Sequence, residues 1–373
     1  MTRGQAVVLF RLDANVEIGS GHLMRCLTLA NALKRPGVAC LFAGAAMPAS
    51  WVERIEAGGH AWHPLPADVA VPRSEAGPAD ALAQALDAAW CARLLAPFER
   101  SFVVVDHYGL DAAWERAIEA EGSRLLAIDD LADREHVARF LVDPNLGRTA
   151  QDYAGLVEPA ARLEIGPAWA SLRPEFARLR TQAQAKRSRA HGVQRVLITF
   201  GGSDNFRLSL DAVRAVLACA ALRDASIDVV FGTAAPWLPE LQALLADRRP
   251  HRHEIAVNAT DMAQRMLAAD LCIGAAGSTC WERCCLGLPS IQVTVAANQV
   301  EASQALEARG AAISMPREGD MTGPLERALA ALATDSARLA AMAQAAFDVT
   351  DGLGATRLSE LILGQLTATA HEH

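Results

Sequence analysis

The sequence predicts an α/β protein built from two doubly wound domains, each a parallel sheet with helices on both faces. Short β-rich apolar runs alternate throughout with longer runs rich in alanine and leucine. The chain has 373 residues, more than one ordinary hydrophobic core accommodates. The alternation occurs twice, on either side of a polar, basic stretch near 172–192. We therefore expect Rossmann-like domains over 1–178 and 179–373, with the last helix a candidate to return to the first domain.

The predicted strands are continuous apolar runs, such as Phe-Val-Val-Val at 102–105, which suit strands buried on both faces of a parallel sheet. We expect a linker helix and loop over 172–192, a surface excursion over 66–80, a helix over 335–348 and a frayed end over 367–373. The predicted strands are 7–12, 38–43, 102–106, 124–128 and 139–142 in the first half, and 195–200, 227–231, 271–275 and 290–295 in the second.

Composition narrows the classes of function. The net charge of −8 argues against a general nucleic-acid or anionic-membrane binder. No apolar run reaches the roughly 18 residues of a membrane span, and the N-terminus lacks the long apolar region of a signal peptide. The eight cysteines include no Cys-x-x-Cys pair and are interpreted as reduced thiols. We expect a cytoplasmic protein that binds no nucleic acid, membrane, metal or cofactor, with no obligatory protein partner evident.

The first candidate catalytic residue is His22, within RLDANVEIGSGHLMRC at 11–26. The apolar spacing places His22 at or just before the first turn of a helix, and Gly19 and Gly21 permit a tight bend and close approach of a ligand. A helix N-terminus favours a neutral imidazole, which can act as a general base. The alternative is a histidine that merely caps the helix. Met24 stands where a dinucleotide fingerprint needs its third glycine, so NAD is not expected.

The second candidate loop is FGGSDN at 200–205, directly after a predicted strand. Gly201, Gly202 and Ser203 suit a cradle of backbone N–H groups for a phosphate. An ordinary glycine-rich turn with a polar cap explains the same residues.

The third candidate loop is GAAGSTCWERCCLGLPS at 274–290. Gly277, Ser278 and Thr279 can surround a diphosphate with amides and hydroxyls. Glu282 can accept hydrogen bonds from a ribose diol, or can simply be a favourable charge near the start of a helix.

Two further strand-end loops carry polar side chains. Asn298 and Gln299 place two side-chain amides at the start of a helix, where they can bind sugar hydroxyls, acetamido groups or phosphates. The alternative is that they only cap the helix. Tyr108, in DHYGLD at 106–111, is a candidate sugar contact.

Six stretches occurring in order resemble one known family: RLDANVEIGSGHLMRCLTLA, DHYGLD, LVDPNLG, GPAWASLRPEF, FGGSDN and GAAGSTCWERCCLGLPS…ANQ. They resemble the UDP-2,4-diacetamido-2,4,6-trideoxy-β-L-altropyranose hydrolases of pseudaminic acid biosynthesis, the PseG family. The resemblance runs from residue 7 to about residue 310. It implies a GT-B fold akin to MurG-like transferases, with two Rossmann-like domains facing across a cleft. UDP would bind the C-terminal domain and the sugar the cleft.

The resemblance also implies a reaction and residue roles. The reaction is metal-independent hydrolysis to UDP and free sugar by inverting water attack at the anomeric carbon, in a pathway serving flagellin glycosylation. Residues 204–208 depart from the family pattern, so their contacts are not carried over. The implied roles are catalysis for His22, positioning for Asp13 and Arg25, sugar contact for Tyr108, diphosphate contact for Ser278 and Thr279, ribose contact for Glu282, and contact at the diphosphate–sugar junction for Asn298 and Gln299.

Three other functions share this architecture. A MurG-like glycosyltransferase would need an exposed apolar patch rimmed by Lys and Arg for a lipid-linked acceptor. The N-terminal half shows only scattered apolar residues, and the basic run 186–189 is interpreted as a solvated helix face. A non-catalytic nucleotide-sugar sensor would not need His22. A hydrolysing 2-epimerase for UDP-N-acetylglucosamine would be distinguished by its product.

Overall fold

The computed structural model describes residues 5–15, 19–71, 77–189, 192–201, 206–232, 238–246 and 252–368. The chain divides into two compact units. The first comprises Met1–Ser171 with Leu353–His373, and the second comprises Leu172–Gly352. The sequence places the boundary after residue 178, whereas the second unit begins at Leu172, ahead of the basic linker helix.

Each unit contains one parallel sheet, and the described residues form thirteen strands. The first-unit strands are β1 Ala6–Leu12, β2 Val38–Gly44, β3 Ala61–Pro64, β4 Arg100–Asp106, β5 Arg124–Ile128, β6 Phe140–Asp143 and β7 Arg162–Ile165. Those of the second are β8 Arg195–Thr199, β9 Ser226–Phe231, β10 His253–Val257, β11 Leu271–Ala275, β12 Ser290–Thr294 and β13 Ala312–Pro316.

Helices follow most strands. They are α1 Gly21–Ala32, α2 Ala49–Ala57, α3 Ala81–Leu95, α4 Ala112–Ala120, α5 Pro174–Arg187, α6 Phe206–Ala218, α7 Leu238–Ala246, α8 Met262–Ala268, α9 Thr279–Cys285, α10 Val300–Ala308, α11 Thr322–Ala333, α12 Ser336–Phe347 and α13 Gly354–Ala368. Among the described residues, none of these helices is both long and apolar enough to cross a bilayer.

Every strand predicted from the sequence is present, with ends shifted by a residue or two. The four strands that the sequence did not predict are β3, β7, β10 and β13. The strand orders are β3-β2-β1-β4-β5-β6-β7 and β10-β9-β8-β11-β12-β13, so these four are the four sheet edges. Edge strands are not buried on both faces, and sequences such as Arg-Leu-Glu-Ile in β7 lack a continuous apolar run.

The first unit is doubly wound, because alternate residues of its central strands enter separate cores. Val8 and Phe10 of β1 pack with Leu23 and Leu27 of α1, while Leu9 packs in the core that α3 and α4 cover. The C-terminal helix α13 lies on the same face as α1. It contributes Leu358, Ile362 and Leu366 to that core.

The basic linker helix α5 caps a neighbouring helix. Arg187 donates from Nη1 to the carbonyl of Ala269 at 2.6 Å and from Nη2 to that of Met266 at 3.0 Å. Lys186 donates to the last carbonyls of α8 and pairs with Asp270 at 2.7 Å. The interpretation of this run as a solvated helix face is therefore wrong for these two residues. They neutralise the partial negative charge at the end of α8.

Two of the segments predicted to be irregular lie only partly within the described residues. Residues 72–76 of the expected excursion lie outside the described residues, as do 369–373 of the expected frayed end. Thr367 belongs to α13, so the helix extends into the segment expected to fray.

The hydroxyl group of Tyr153 lies between two buried carboxyl groups of the first unit. The hydroxyl oxygen of Tyr153 is 3.0 Å from Oδ2 of Asp129 and 2.9 Å from Oδ2 of Asp143, yet a phenol has one hydrogen to donate. Burial acts to raise the pKa of Asp129, but Arg134, 2.8 Å away, holds it below its usual range. Burial and the charge of Asp129 raise the pKa of Asp143 to about 7, although Nε of Arg148 lies 3.5 Å from it. Asp143 therefore keeps its proton up to neutral pH and can donate it to Tyr153.

This arrangement predicts a pH-dependent stability. The pKa of Asp143 is raised in the folded state. Its contribution to the unfolding free energy is therefore fully present below the pKa of the unfolded state and is lost as pH rises through about 7. Asp143→Asn mimics the protonated form, so at pH 8 it should exceed the wild type in unfolding free energy by on the order of 2–4 kcal/mol. Urea unfolding at pH 5 and pH 8 measures this. The excess should be smaller at pH 5, where the wild type has lost only part of this contribution, and equal stability at pH 8 would contradict the assignment.

Candidate functional site

Each sheet has a topological switch point, the place where open α/β sheets bind ligands. In the first sheet β1 lies between β2 and β4, and in the second β8 lies between β9 and β11. At a switch point the connections that follow two neighbouring strands leave toward opposite faces of the sheet, and this opens a crevice at the carboxyl ends of the strands. The candidate site residues gather at the two switch points, and we describe each unit separately.

Asp106, the last residue of β4, is the centre of the first site. Its buried Oδ1 lies 2.5 Å from Nδ1 of His22. Arg25 donates to both carboxylate oxygens, from Nε to Oδ2 at 2.6 Å and from Nη2 to Oδ1 at 2.5 Å. Burial acts to raise the pKa of Asp106, but the charge of Arg25 and the contacts with His22 hold it well below its usual range. Asp106 is therefore ionised at neutral pH.

The local sequence of α1 explains how two side chains reach one carboxylate. Ser20 precedes the helix, and His22 and Arg25 lie three residues apart in its first turns. Residues three apart share one face of a helix, so both side chains point toward the end of β4.

The contact with Asp106 determines the tautomer of His22. An ionised carboxylate can only accept, so the 2.5 Å contact requires a hydrogen on Nδ1. Nη2 of Arg25 lies 3.2 Å from this nitrogen, which is then no longer an acceptor for it. In the neutral ring the lone pair is therefore on Nε2. Among the described residues Nε2 has no hydrogen-bond partner, and the side chain stays 10% exposed, so the ring is oriented to accept a proton there.

Tyr108 completes this cluster. Its ring meets the His22 ring edge-on, with centroids 5.0 Å apart and planes at 78°. Burial, the charge of Asp130 and a hydrogen bond to Asp130 raise its pKa, so it remains a phenol. Asp130 also accepts from Nη1 of Arg25 at 3.2 Å. The structure thus brings His22, Arg25 and Tyr108 together.

Asp13 belongs to a different set of contacts. Its carboxylate accepts from Nη1 of Arg11 at 2.7 Å, from the amide of Ala45 at 2.8 Å and from Nε2 of His107 at 3.0 Å. A Cβ on Gly44 would stand 2.0 Å from the carbonyl of Leu12, so only glycine allows this approach. Asp13 therefore fixes the ends of β1 and β2, and His22 is oriented by Asp106.

The glycines before α1 shape the loop. Gly19 has φ +84° and its amide donates to the carbonyl of Asn15 at 2.8 Å, which closes the loop whose residues 16–18 lie outside the described ranges. Gly21 is the first residue of α1.

In the second unit the loop 276–279 presents hydrogen-bond donors. Within the described parts of the chain, the backbone N–H groups of Gly277, Ser278 and Thr279 donate no hydrogen bond. The side chain of Gln299 accepts through Oε1 from the amide of Val295 at 3.1 Å, which leaves its Nε2 as the donor end. That Nε2 stands 3.5 Å from the position of a Cβ on Gly277. Donors from two segments therefore converge at Gly277, an arrangement suited to an anion.

Glu282 forms an ion pair at the edge of this region. Its Oε1 lies 3.3 Å from Nη2 of Arg173, the residue before α5. Burial raises the pKa of Glu282, while the charge and hydrogen bond of Arg173 oppose the increase. Its Oε2 has no hydrogen bond among the described residues and is available to a hydroxyl group.

The remaining candidates are only partly described. Gly201 follows β8 with φ +86°, whereas Gly202 and Ser203 lie outside the described residues. Asn298 and Gln299 lie in a short 3-10 turn before α10. Within the described ranges, no group of three or more His, Cys, Asp or Glu side chains is arranged to hold a metal ion.

Sequence reasoning missed three residues of these sites. Asp106 had a usable signal, because it is the charged residue that directly follows the buried run 102–105 at the carboxyl end of a strand. Asp130 likewise follows β5 closely. Arg173 had no such signal, since it meets Glu282 from 109 residues away in the chain.

Part of the chain matches a family of known proteins. Residues 196–358 match the model of the glycosyltransferase family 28 C-terminal domain. The matched residues include the loop 276–279 and Glu282 with its helix α9.

Two curated relatives each match about half of the chain. The UDP-2,4-diacetamido-2,4,6-trideoxy-β-L-altropyranose hydrolase of Campylobacter jejuni is 28% identical over 54% of this chain and 63% of its own. The UDP-N-acetylglucosamine–N-acetylmuramyl-(pentapeptide) pyrophosphoryl-undecaprenol N-acetylglucosamine transferase of Xanthomonas campestris is 32% identical over 48% of this chain and 45% of its own. The chain thus spans about half the length of the curated relatives it matches.

The fold comparison covers nearly the whole chain. The crystal structure of MurG from Acinetobacter baumannii matches with a TM-score of 0.70 at 16% identity, over 96% of this chain and 99% of that one. Together with the two parallel sheets, this confirms the predicted fold class, two Rossmann-like doubly wound domains of the GT-B fold.

The tautomer of His22 is a testable prediction. In the neutral ring we expect the hydrogen on Nδ1 and an unprotonated Nε2, because Asp106 can only accept. His107 is an internal control of the opposite kind, since its Nδ1 accepts from the amide of Gly109 at 3.0 Å and its hydrogen must lie on Nε2. Long-range nitrogen-15 NMR correlation spectra distinguish the tautomers. A hydrogen on Nε2 of His22 would contradict the assignment.

Proposed function

We propose that this protein hydrolyses UDP-2,4-diacetamido-2,4,6-trideoxy-β-L-altropyranose to UDP and the free sugar. Nε2 of His22 takes a proton from water, the water oxygen bonds to the anomeric carbon with inversion, and the bond to UDP breaks. The sequence resemblance and the Campylobacter jejuni relative support this substrate. The observation that carries the chemistry is the Asp106–His22 contact of 2.5 Å, which leaves Nε2 as an accessible base.

In this proposal Asp106 and Arg25 prepare His22. Asp106 holds the ring in the tautomer that accepts a proton, and the imidazolium that forms stays beside a carboxylate. Arg25 balances the charge of Asp106 when the ring is neutral. Tyr108, against the ring of His22, is the proposed sugar contact.

The second unit is proposed to hold the leaving group. The amides of residues 277–279 and Nε2 of Gln299 would bind the diphosphate and stabilise the charge that grows on it as the bond breaks. Oε2 of Glu282 would accept from the ribose diol. No metal or cofactor takes part in the proposed step, and the expected location stays cytoplasmic.

A MurG-like sugar transferase is the second candidate, and two observations favour it. One is the match to the family 28 domain and the Xanthomonas campestris transferase. The other is an exposed apolar pair on α3, where Leu82 and Leu86 are 70% and 47% exposed one turn apart. An acceptor carrying a lipid would suit such a surface.

One experiment separates the two candidates. The protein is incubated with the UDP-sugar and EDTA, without any acceptor, and followed by phosphorus-31 and proton NMR. Prompt release of UDP and free sugar is the expected result. A substrate that binds but stays intact would contradict the hydrolase and favour the transferase.

The role of His22 predicts a specific loss. His22→Asn should lower kcat by about 10²–10⁴-fold, the usual contribution of a general base, and should leave the Kd for UDP within a few-fold. His63→Asn is the matched control, since His63 lies on β3 at the far edge of the same sheet. Calorimetry gives Kd and the NMR assay gives kcat. Near-normal turnover by His22→Asn would contradict the assigned role.

A further inference from the structure

Arg283, in α9, is a buried arginine without a buried counter-charge. It is 1% exposed, and no carboxylate in the described part of the chain lies within 4.0 Å of it. Arg11 of the first unit is also buried but is neutralised, because Asp13 and Asp87 each lie 2.7 Å from its guanidinium. A buried charge with no partner is strongly unfavourable, so its presence requires a reason.

All the hydrogen-bond partners of Arg283 are neutral. Nη2 donates to the carbonyl of Ala275 at 2.9 Å and to Oε1 of Gln292 at 3.3 Å, and Nη1 donates to Oγ1 of Thr279 at 3.3 Å. Its Nε is buried without a partner. Glu282, the preceding residue, pairs with Arg173 instead.

The nearby thiols do not supply the missing negative charge. Burial raises the pKa of Cys272 to about 11 and that of Cys280 to about 11, with the charge of Arg283 acting in the opposite direction. Both groups are therefore neutral at physiological pH.

The guanidinium lies directly beneath the loop 276–279. Gly274 makes this possible, because a Cβ there would stand 3.2 Å from Nη1 of Arg283 and 2.3 Å from the carbonyl of Thr199. The contact with Thr279 also sets the direction of its hydroxyl group. Since Oγ1 accepts from Arg283, its own hydrogen must point to another acceptor.

We propose that Arg283 is a positioning residue for the diphosphate of a nucleotide bound at the loop 276–279. From beneath the loop it supplies the counter-charge, and through Oγ1 of Thr279 it turns the threonine hydroxyl into a donor toward a phosphate oxygen. The inference rests on the proposed function, since it assumes that UDP binds this loop. The affinity that Arg283 contributes comes from the phosphate groups of the nucleotide and not from the uridine.

The test compares UDP, UMP and uridine as ligands. Binding to the full chain is measured by calorimetry for the nucleotides and by NMR titration for uridine. Arg283→Met should weaken UDP about 10–100-fold and UMP less, and should leave uridine within about threefold. Arg187→Met, which removes an arginine bound to the carbonyls of Met266 and Ala269, is the matched control and should preserve the ratio of UDP to uridine affinity.

A purely structural role gives a different pattern. It would lower the affinity for UDP and for uridine equally. Any loss of unfolding free energy, expected because Arg283→Met leaves the carbonyl of Ala275 and Oε1 of Gln292 without this donor, does not by itself change the ratio of the two affinities. Arg283→Lys keeps the charge and should lose less UDP affinity than Arg283→Met. Thr279→Val, which removes only a partly exposed hydroxyl, should weaken UDP several-fold and leave uridine unchanged.

The outcomes distinguish a failure of the role proposed for Arg283 from a failure of the proposed function. Equal losses for UDP and uridine in Arg283→Met, or unchanged UDP affinity in Thr279→Val, would overturn the role of Arg283 and leave the proposed function standing. If the wild type itself shows no preference for UDP over uridine, the proposed function fails together with this inference.

Discussion

The carboxylate of Asp106 is the contact on which the first site depends. It is buried at the end of β4, where an isolated charge would be strongly unfavourable. Arg25 meets it with two short hydrogen bonds and His22 with one, and both residues lie on the first turns of α1. The helix is thereby fixed to the strand that pairs with β1. The attachment of α1 to β4 and the orientation of the histidine therefore have the same physical cause.

The two units share a topology but carry different chemistry at their strand ends. In the first unit carboxyl groups follow or end four strands, namely Asp13, Asp106, Asp129 and Asp143. These carboxyl groups hold neighbouring hydrogen-bond donors in place, and Asp106 orients His22 as a proton acceptor. In the second unit, the loop 276–279 at the end of β11 has three backbone amides that donate no hydrogen bond among the described residues, together with hydroxyl groups and the buried Arg283. The first arrangement suits proton transfer and the second suits an anion, so one fold supports two tasks.

The interior of the fold was predictable from sequence because strands buried on both faces consist of apolar runs. The sheet edges were not, because β3 and β7 are short and only partly buried, and their sequences Ala-Trp-His-Pro and Arg-Leu-Glu-Ile contain no continuous apolar run. The position of His22 in the first turn of a helix followed from local apolar spacing. Its tautomer did not, because it is set by Asp106, which lies 84 residues away in the chain.

The contacts of the basic residues were also not predictable from local sequence. A run of Lys and Arg in a linker is typical of a solvated surface, yet Lys186 and Arg187 cap α8. Arg283 follows Glu282 in α9 and gives no sequence signal of its burial. Long charged side chains find partners through tertiary contacts, and local patterns do not encode them.

A double-mutant cycle on kcat tests most directly whether Asp106 acts through His22. The turnover of UDP-sugar would be measured for the wild type, Asp106→Asn, His22→Asn and the double variant, with long incubations for the slow proteins. If Asp106 serves by orienting His22, Asp106→Asn should lower kcat strongly in the wild type and hardly at all in His22→Asn. An equal loss in both backgrounds would show that Asp106 acts independently of His22 and would contradict the account.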